Sequence, residues 1–311
     1  MIALVVACLF WGTTGTAASF LPPEVSRVSV GAATMGIGGI ILFLVTARRA
    51  IVVIRDRATW PWLGLGLLSV IAYPLTFYPA MELAGVAIGN VLALGTGPVF
   101  AALLEWVVER HRPGAVWLCS ALVAVAGIAL LGFGGHGSVS GTGDLLPGVG
   151  LGLVAGLAYA CYTYSAGRVM RLGHPSTPVM GAMFGLGAIA LIPILLMTGG
   201  GILGSSLSVG IIAYLVAGPA VIAYVLFGIG IGALRSSTVL VITLLEPVFT
   251  TVLAVVVVGE RPTVLAWLGI GSIIAAIVLV SLGALRRPRG GPGEPSARAE
   301  PVPSPGVTGG E

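Results

Sequence analysis

Residues 237–258 read STVLVITLLEPVFTTVLAVVVV, and residues 88–109 read IGNVLALGTGPVFAALLEWVVE. The first stretch carries one charge, Glu246, followed by Pro247. A helix crossing the hydrocarbon layer needs about 20 largely apolar residues, and this stretch meets that requirement. The two stretches lie 149 positions apart, and in that register Pro98-Val99-Phe100 matches Pro247-Val248-Phe249. The same shift aligns Val107-Val108 with Val256-Val257 and Arg112-Pro113 with Arg261-Pro262. Nearer the N-terminus it aligns Leu4-Val5 with Leu153-Val154, Thr14 with Thr163, and Gly36 with Gly185. One register serves both ends of each half, so the chain reads as a duplication.

Working outward, comparable apolar runs fall near 2–20, 29–46, 61–80, 115–132, 148–167, 178–198, 209–231 and 264–283. With the two quoted stretches, read as spans 86–107 and 237–258, they make ten. Hydrophobic residues are 57% of the chain and charged residues 8%. A soluble domain carries about 25% charged residues, so this surface is made for lipid. The runs lack the two-residue alternation of barrel strands. The fold expected is therefore all-α integral membrane.

Five spans per half is odd, so the halves must be inverted relative to each other. Charge agrees: the Arg-bearing segment 48–57 corresponds to 197–206, which has no charge, and Arg168 and Arg171 correspond to Ser19 and Pro22. Short cytoplasmic loops hold the excess of positive charge. With both termini cytoplasmic, thirteen of the fifteen arginines lie inside, and only Arg27 and Arg261 outside. The basic balance thus reflects topology, not nucleic-acid binding. The organisation expected is a first repeat at 1–132, an outer linker at 133–147, a second repeat at 148–285, and a disordered cytoplasmic tail at 286–311. The tail is Pro-, Gly-, Ser- and Glu-rich, with nothing to bury. Val5-Val6-Ala7-Cys8 resembles a lipoprotein cleavage box but lacks a basic n-region, so cleavage is not expected, and the true start is expected slightly upstream. Cys8, Cys119 and Cys161 all fall inside apolar runs and make no disulfide framework or metal cluster.

Phe10-Trp11-Gly12, Gly143-Asp144-Leu145-Leu146, Glu246-Pro247-Val248 and Gly259-Glu260-Arg261-Pro262, in this order and spacing, resemble the drug/metabolite transporter superfamily in its ten-helix EamA-type branch. The resemblance covers residues 1–285. It implies two inverted five-helix halves around a cavity that opens alternately to either side, small-molecule substrates and, in many members, export. The first half departs from the pattern. Gly97 stands opposite Glu246, and His111-Arg112-Pro113 opposite Glu260-Arg261-Pro262, so Glu246 has no symmetry mate.

Glu246 is the sharpest candidate for chemistry. An acid near the bilayer midplane costs about 2.5–3.5 kcal/mol on insertion scales and therefore faces a cavity or a partner. Burial disfavours its charged form, which suits a residue that takes up and releases a proton. The competing reading is structural: Pro247 removes a backbone donor, and a protonated Glu246 then bonds a freed carbonyl. Pro98 and Pro247, at matching positions, are candidate helix kinks, and Pro74 and Pro79 are expected to interrupt the third span. Trp11, Thr14, Tyr73, Asn90, Tyr159, Thr163 and Tyr224 are the candidate substrate-cavity residues, since aromatic faces with one polar atom suit amphipathic solutes. Each of them has packing as its competing role. Trp60, Trp62 and Trp106 read as interface anchors. Gly148, Gly152, Gly156 and Ala160 form a small-residue stripe, for packing within the monomer or for a homodimer contact. Glu105, near the cytoplasmic interface, reads as snorkelling or paired.

Gly141-Thr142-Gly143-Asp144 fits the GxGD pattern of intramembrane aspartyl proteases. Such catalysis needs two neighbouring carboxyls, and the other aspartate, Asp56, is expected on the opposite face. No hydrolase signature, metal cluster or cofactor motif is present, and no channel filter motif or charge ring. The function expected is a secondary transporter, a proton-coupled exporter of metabolites or drugs. The alternatives are import or uniport of amino-acid-like solutes and, outside transport, a protease or a structural membrane subunit.

Overall fold

The computed structural model describes residues 1–134, 145–258 and 261–285. The expected linker, with its GxGD match, lies mostly outside them, as do Gly259-Glu260 and the expected tail. The described residues form ten helices. They are α1 (Ile2–Ala18), α2 (Arg27–Arg55), α3 (Trp60–Ala84), α4 (Val86–Glu109), α5 (Ala115–Gly134), α6 (Leu145–Arg171) and α7 (Ser176–Thr198), then α8 (Ser206–Ala233), α9 (Ser236–Val257) and α10 (Val264–Leu285). Nine are long and apolar enough to cross a membrane, and α1 is a shorter apolar helix.

The elements follow from local chemistry. Ser26 opens α2 by accepting from the Ser29 N–H at 3.0 Å, and Ser205 opens α8 by accepting from Ser208 at 3.0 Å, as N-cap hydroxyls do. α2 runs past the expected end at 46 to Arg55. Arginine is a good helix former, so Arg48 and Arg49 continue the helix until Asp56 turns the chain by accepting from the Ala58 N–H. α3 stays helical through Pro74 and Pro79, contrary to the expected interruption.

Packing displays the inverted duplication. α2 lies along its mate α7, and α5 along its mate α10. α6 packs on α3 and α4, and correspondingly α1 packs on α8 and α9. The opening helix of each half is thus docked into the other half. Close approach of α5 and α10 requires glycine. A Cβ on Gly127 would stand 2.9 Å from the Gly269 carbonyl oxygen, and one on Gly269 would stand 2.6 Å from that of Gly127. The small-residue stripe is used the same way, within the chain: Gly148 faces Ala84 of α3, and Gly152 and Gly156 face Leu92 and Ala93 of α4. Large apolar side chains such as Leu68, Ile189 and Leu196 are two-thirds or more exposed, a surface that only lipid satisfies. Among the expected interface tryptophans, Trp60 and Trp106 are exposed. Trp62 instead packs edge-on against Tyr164 at 5.8 Å under the Arg168 guanidinium at 4.8 Å.

Candidate functional site

Two breaks at mid-depth build the site. In α8 the backbone widens to a π-turn over Val216–Ile222 around Pro219. Proline has no N–H for the Leu215 carbonyl, and its ring crowds that carbonyl, so one extra residue enters the turn. The Ala223 N–H then bonds Gly218 and leaves the Pro219 carbonyl to another donor. The Trp11 indole Nε1–H of α1 supplies it at 2.9 Å. In α9 the helix pauses at Leu244–Leu245, whose N–H groups bond back three residues, to Val241 and Ile242. It resumes at Glu246. Pro247 cannot donate to the Thr243 carbonyl, which explains why the α-ladder stops there.

Between these breaks lies a cavity of about 100 Å³ lined by Trp11 and Thr14 of α1, Thr34 and Met35 of α2, Tyr73, Phe77 and Tyr78 of α3, Tyr159 and Tyr162 of α6, Tyr224 of α8, and Glu246. Its lining in α1, α2 and α3 comes from the half of each helix toward the Ala18, Arg27 and Ala84 ends. The opposite end is floored by aromatics. Tyr159, Tyr162, Phe184, Tyr224 and Phe227 are buried. Their rings meet at 5.4 Å (Tyr159–Tyr162), 4.4 Å (Phe184–Tyr224) and 6.4 Å (Tyr162–Phe227), tilted or edge-on, the arrangement that ring quadrupoles favour.

Glu246 is partly exposed to this cavity. Among the described residues its carboxyl makes no ion pair or hydrogen bond, while its backbone carbonyl accepts from the Thr250 hydroxyl at 3.2 Å. The carboxyl is therefore not committed to a freed carbonyl. Trp11, Thr14, Tyr73, Tyr159 and Tyr224 are brought together with it. Asn90 and Thr163 are not among the lining residues. Asn90 lies near the start of α4, and the buried Thr163 hydroxyl donates within α6 to the Tyr159 carbonyl at 2.7 Å. Pro247 sits at the pause in α9, whereas α4 runs through Pro98 without one. Reading for isolated polar groups passed over Thr34, Met35, Phe77, Tyr78 and Tyr162. The signal that could have found them is the aromatic run of α3, where Tyr73, Phe77 and the adjacent Tyr78 lie about one turn apart. Tyr159 also reaches the break, since its hydroxyl donates to Thr243 Oγ1 at 2.9 Å.

Sequence relationships accord with this architecture. The model of the EamA-like transporter family matches residues 1–133 and again 146–282. The chain belongs to the EamA-like transporter family. It is a multi-pass membrane protein of a transporter family, not an enzyme. Relatives of this EamA chain include the "Uncharacterized transporter YwfM" of Bacillus subtilis (strain 168), 30% identical over 89% of the chain and 92% of YwfM. The "Uncharacterized inner membrane transporter YicL" of Salmonella typhimurium (strain LT2) is 24% identical over 93% of the chain and 97% of YicL. A solved crystal structure superposes with a TM-score of 0.76 at 22% identity, covering 92% of the EamA chain and 97% of the other, which fixes the fold alone.

Proposed function

We propose that the chain is a proton-coupled secondary transporter of the cell membrane, with both termini cytoplasmic, that exports modest-sized amphipathic metabolites or drugs by alternating access. The observation that carries this reading is Glu246, a carboxyl unpaired among the described residues, in an aromatic cavity beside a broken helix. Broken helices at mid-depth line transporter sites, and intramembrane acids serve as proton relays. Aromatic walls give amphipathic solutes contact area, with hydroxyls as orienting groups. The cavity contains no arginine, which favours neutral, zwitterionic or cationic solutes over anions. Glu246 is the proton-coupling residue, protonated from the outer side and emptied inward as solute leaves. One charge crossing about 100 mV supplies about 2.3 kcal/mol, and a tenfold gradient of a neutral solute costs about 1.4 kcal/mol, so one proton sustains export beyond tenfold. Because the Gly148–Gly156 stripe packs within the chain, one copy is the proposed transport unit.

The test is flux in proteoliposomes under imposed proton gradients of either sign, with a panel of labelled amino acids and cationic dyes. One solute class should move against the proton flow, and Glu246→Gln should abolish gradient-driven movement. Movement with the proton flow would assign import, and gradient-independent movement would assign uniport.

A further inference from the structure

The face of the molecule that carries the ends of α4 and α6 holds the densest charge cluster among the described residues. Glu109, the last residue of α4, accepts from Arg171 Nη2 at 2.5 Å, from Arg235 Nη1 at 3.1 Å and from the Tyr164 hydroxyl at 3.0 Å. Arg168 Nη1 stands 3.5 Å away. One turn back, Glu105 is only 4% exposed and accepts from the Ser237 N–H at 2.9 Å and the Ser237 hydroxyl at 2.8 Å. Two carboxylates of α4 therefore grip the end of α6 and the α8–α9 junction together.

The inverted duplication makes this cluster informative. Under the 149-residue shift, Arg168, Arg171, Arg235 and Glu109 correspond to Ser19, Pro22, Val86 and Val258. The same structural positions on the opposite face are uncharged in sequence. The two faces share one scaffold, yet among the described residues only one has an ionic closure, and the cavity extends toward the other. Between the aromatic floor and the cluster lies Ser165, one turn from both Tyr162 and Arg168 on α6. It is fully buried and its hydroxyl has no partner. A buried hydroxyl without a partner is costly and would be relieved if water entered from the Arg-rich face.

From these observations we infer that Glu109 and its three arginines are the inner gate of the transport cycle, a latch that holds the cytoplasmic path closed over Ser165 while the cavity faces outward. The inference rests on the alternating-access reading proposed above. Glu109 is a positioning residue, since it does not line the cavity. The guanidinium partners are 32–44% exposed, so each pair is weak and the latch is releasable. Glu105, buried on Ser237, ties α4 to α9 one turn from the latch.

The test is labelling of a single cysteine in nanodiscs, where both faces meet the reagent. With Cys8, Cys119 and Cys161 replaced by alanine, Ser165→Cys reports water access by its reaction with a membrane-impermeant maleimide. Glu109→Gln should raise the labelling rate about tenfold, the change expected if a two-state equilibrium shifts by that factor. A reporter at Ala182, fully buried elsewhere in α7, should stay unlabelled, which general loosening would not allow. With Glu109 intact, raising salt from about 0.1 M to about 1 M shortens the screening length from ~10 Å to ~3 Å and should also speed Ser165→Cys labelling. Equal Ser165→Cys rates with and without the Glu109→Gln substitution, at both salt levels, would overturn the gate, as would equal acceleration at Ala182→Cys. Solute flux by the unsubstituted chain, measured in parallel, decides the transport reading separately: flux with unchanged labelling overturns the gate alone, and accelerated labelling without any flux overturns the transport reading and with it the gate's place in a transport cycle.

Discussion

Trp11 has a polar atom already in use: its indole N–H closes on the Pro219 carbonyl that the π-turn exposes, while its ring meets Tyr224 at 5.2 Å and Phe227 at 5.1 Å. Trp11→Phe keeps an aromatic face and loses the hydrogen bond. Interhelical hydrogen bonds in membranes contribute about 0.6 kcal/mol on average, so the variant should unfold slightly earlier in detergent and transport several-fold more slowly, as thermal melts and initial-rate flux would report. A role for Trp11 confined to solute contact would leave the melt unchanged. At Asp56, outside the spans, the hydrogen bond from His174 at 2.9 Å, with that from the Ala58 N–H, holds the carboxyl below its usual range. A lowered value means that the tie between the α2–α3 and α6–α7 connections is complete above the ordinary aspartate range. It is lost as pH falls through the lowered value. Asp56→Asn should therefore lower the melting midpoint slightly at neutral pH and cease to differ from the parent in strong acid. The sequence exposed Glu246 because a lone acid in an apolar run has no cheap explanation. It misplaced Thr163, because a threonine can satisfy its hydroxyl on its own helix, and spacing does not reveal that choice.

At the scale of elements, both breaks trace to a proline but take different forms, a π-turn in α8 and a pause in α9. Pro247 announced the pause in α9 by its missing donor, yet Pro98 at the matching position leaves α4 unbroken. Proline alone therefore does not dictate the outcome; neighbours decide whether the freed carbonyl is satisfied in place. In α9 the freed Thr243 carbonyl is approached by the Cys8 thiol at 3.8 Å, and the Tyr159 hydroxyl donates to Oγ1 of the same residue; neither long-range contact shows in a local pattern. The donor that satisfies the carbonyl exposed by the π-turn of α8 was equally hidden, since Trp11 arrives from the other half. Pro247→Ala restores the donor. Alanine is favoured over proline by about 3 kcal/mol in a helix interior, so a healed α9 should raise the melting midpoint and slow transport several-fold. A variant with unchanged transport would show that the pause is not part of the cycle.

For the whole molecule, the ten helices were legible in hydropathy, though α2 and α6 run beyond their apolar runs, and the duplication was legible in one register, because lipid constrains both length and composition. What stayed hidden was the exchange of α1 and α6 between halves, which depends on helix faces that are apolar on all sides. Inversion also explains why charge rather than shape distinguishes the two faces, and how the proposed coupling acid, without a symmetry mate, could serve both. The central claim is that Glu246 links proton movement to solute movement. Its most direct test compares net flux with solute-for-solute exchange in proteoliposomes bearing Glu246→Gln. The account predicts that exchange persists, because the cavity and the alternating motion remain, while accumulation driven by a proton gradient disappears. Accumulation equal to that of the unsubstituted chain would contradict it.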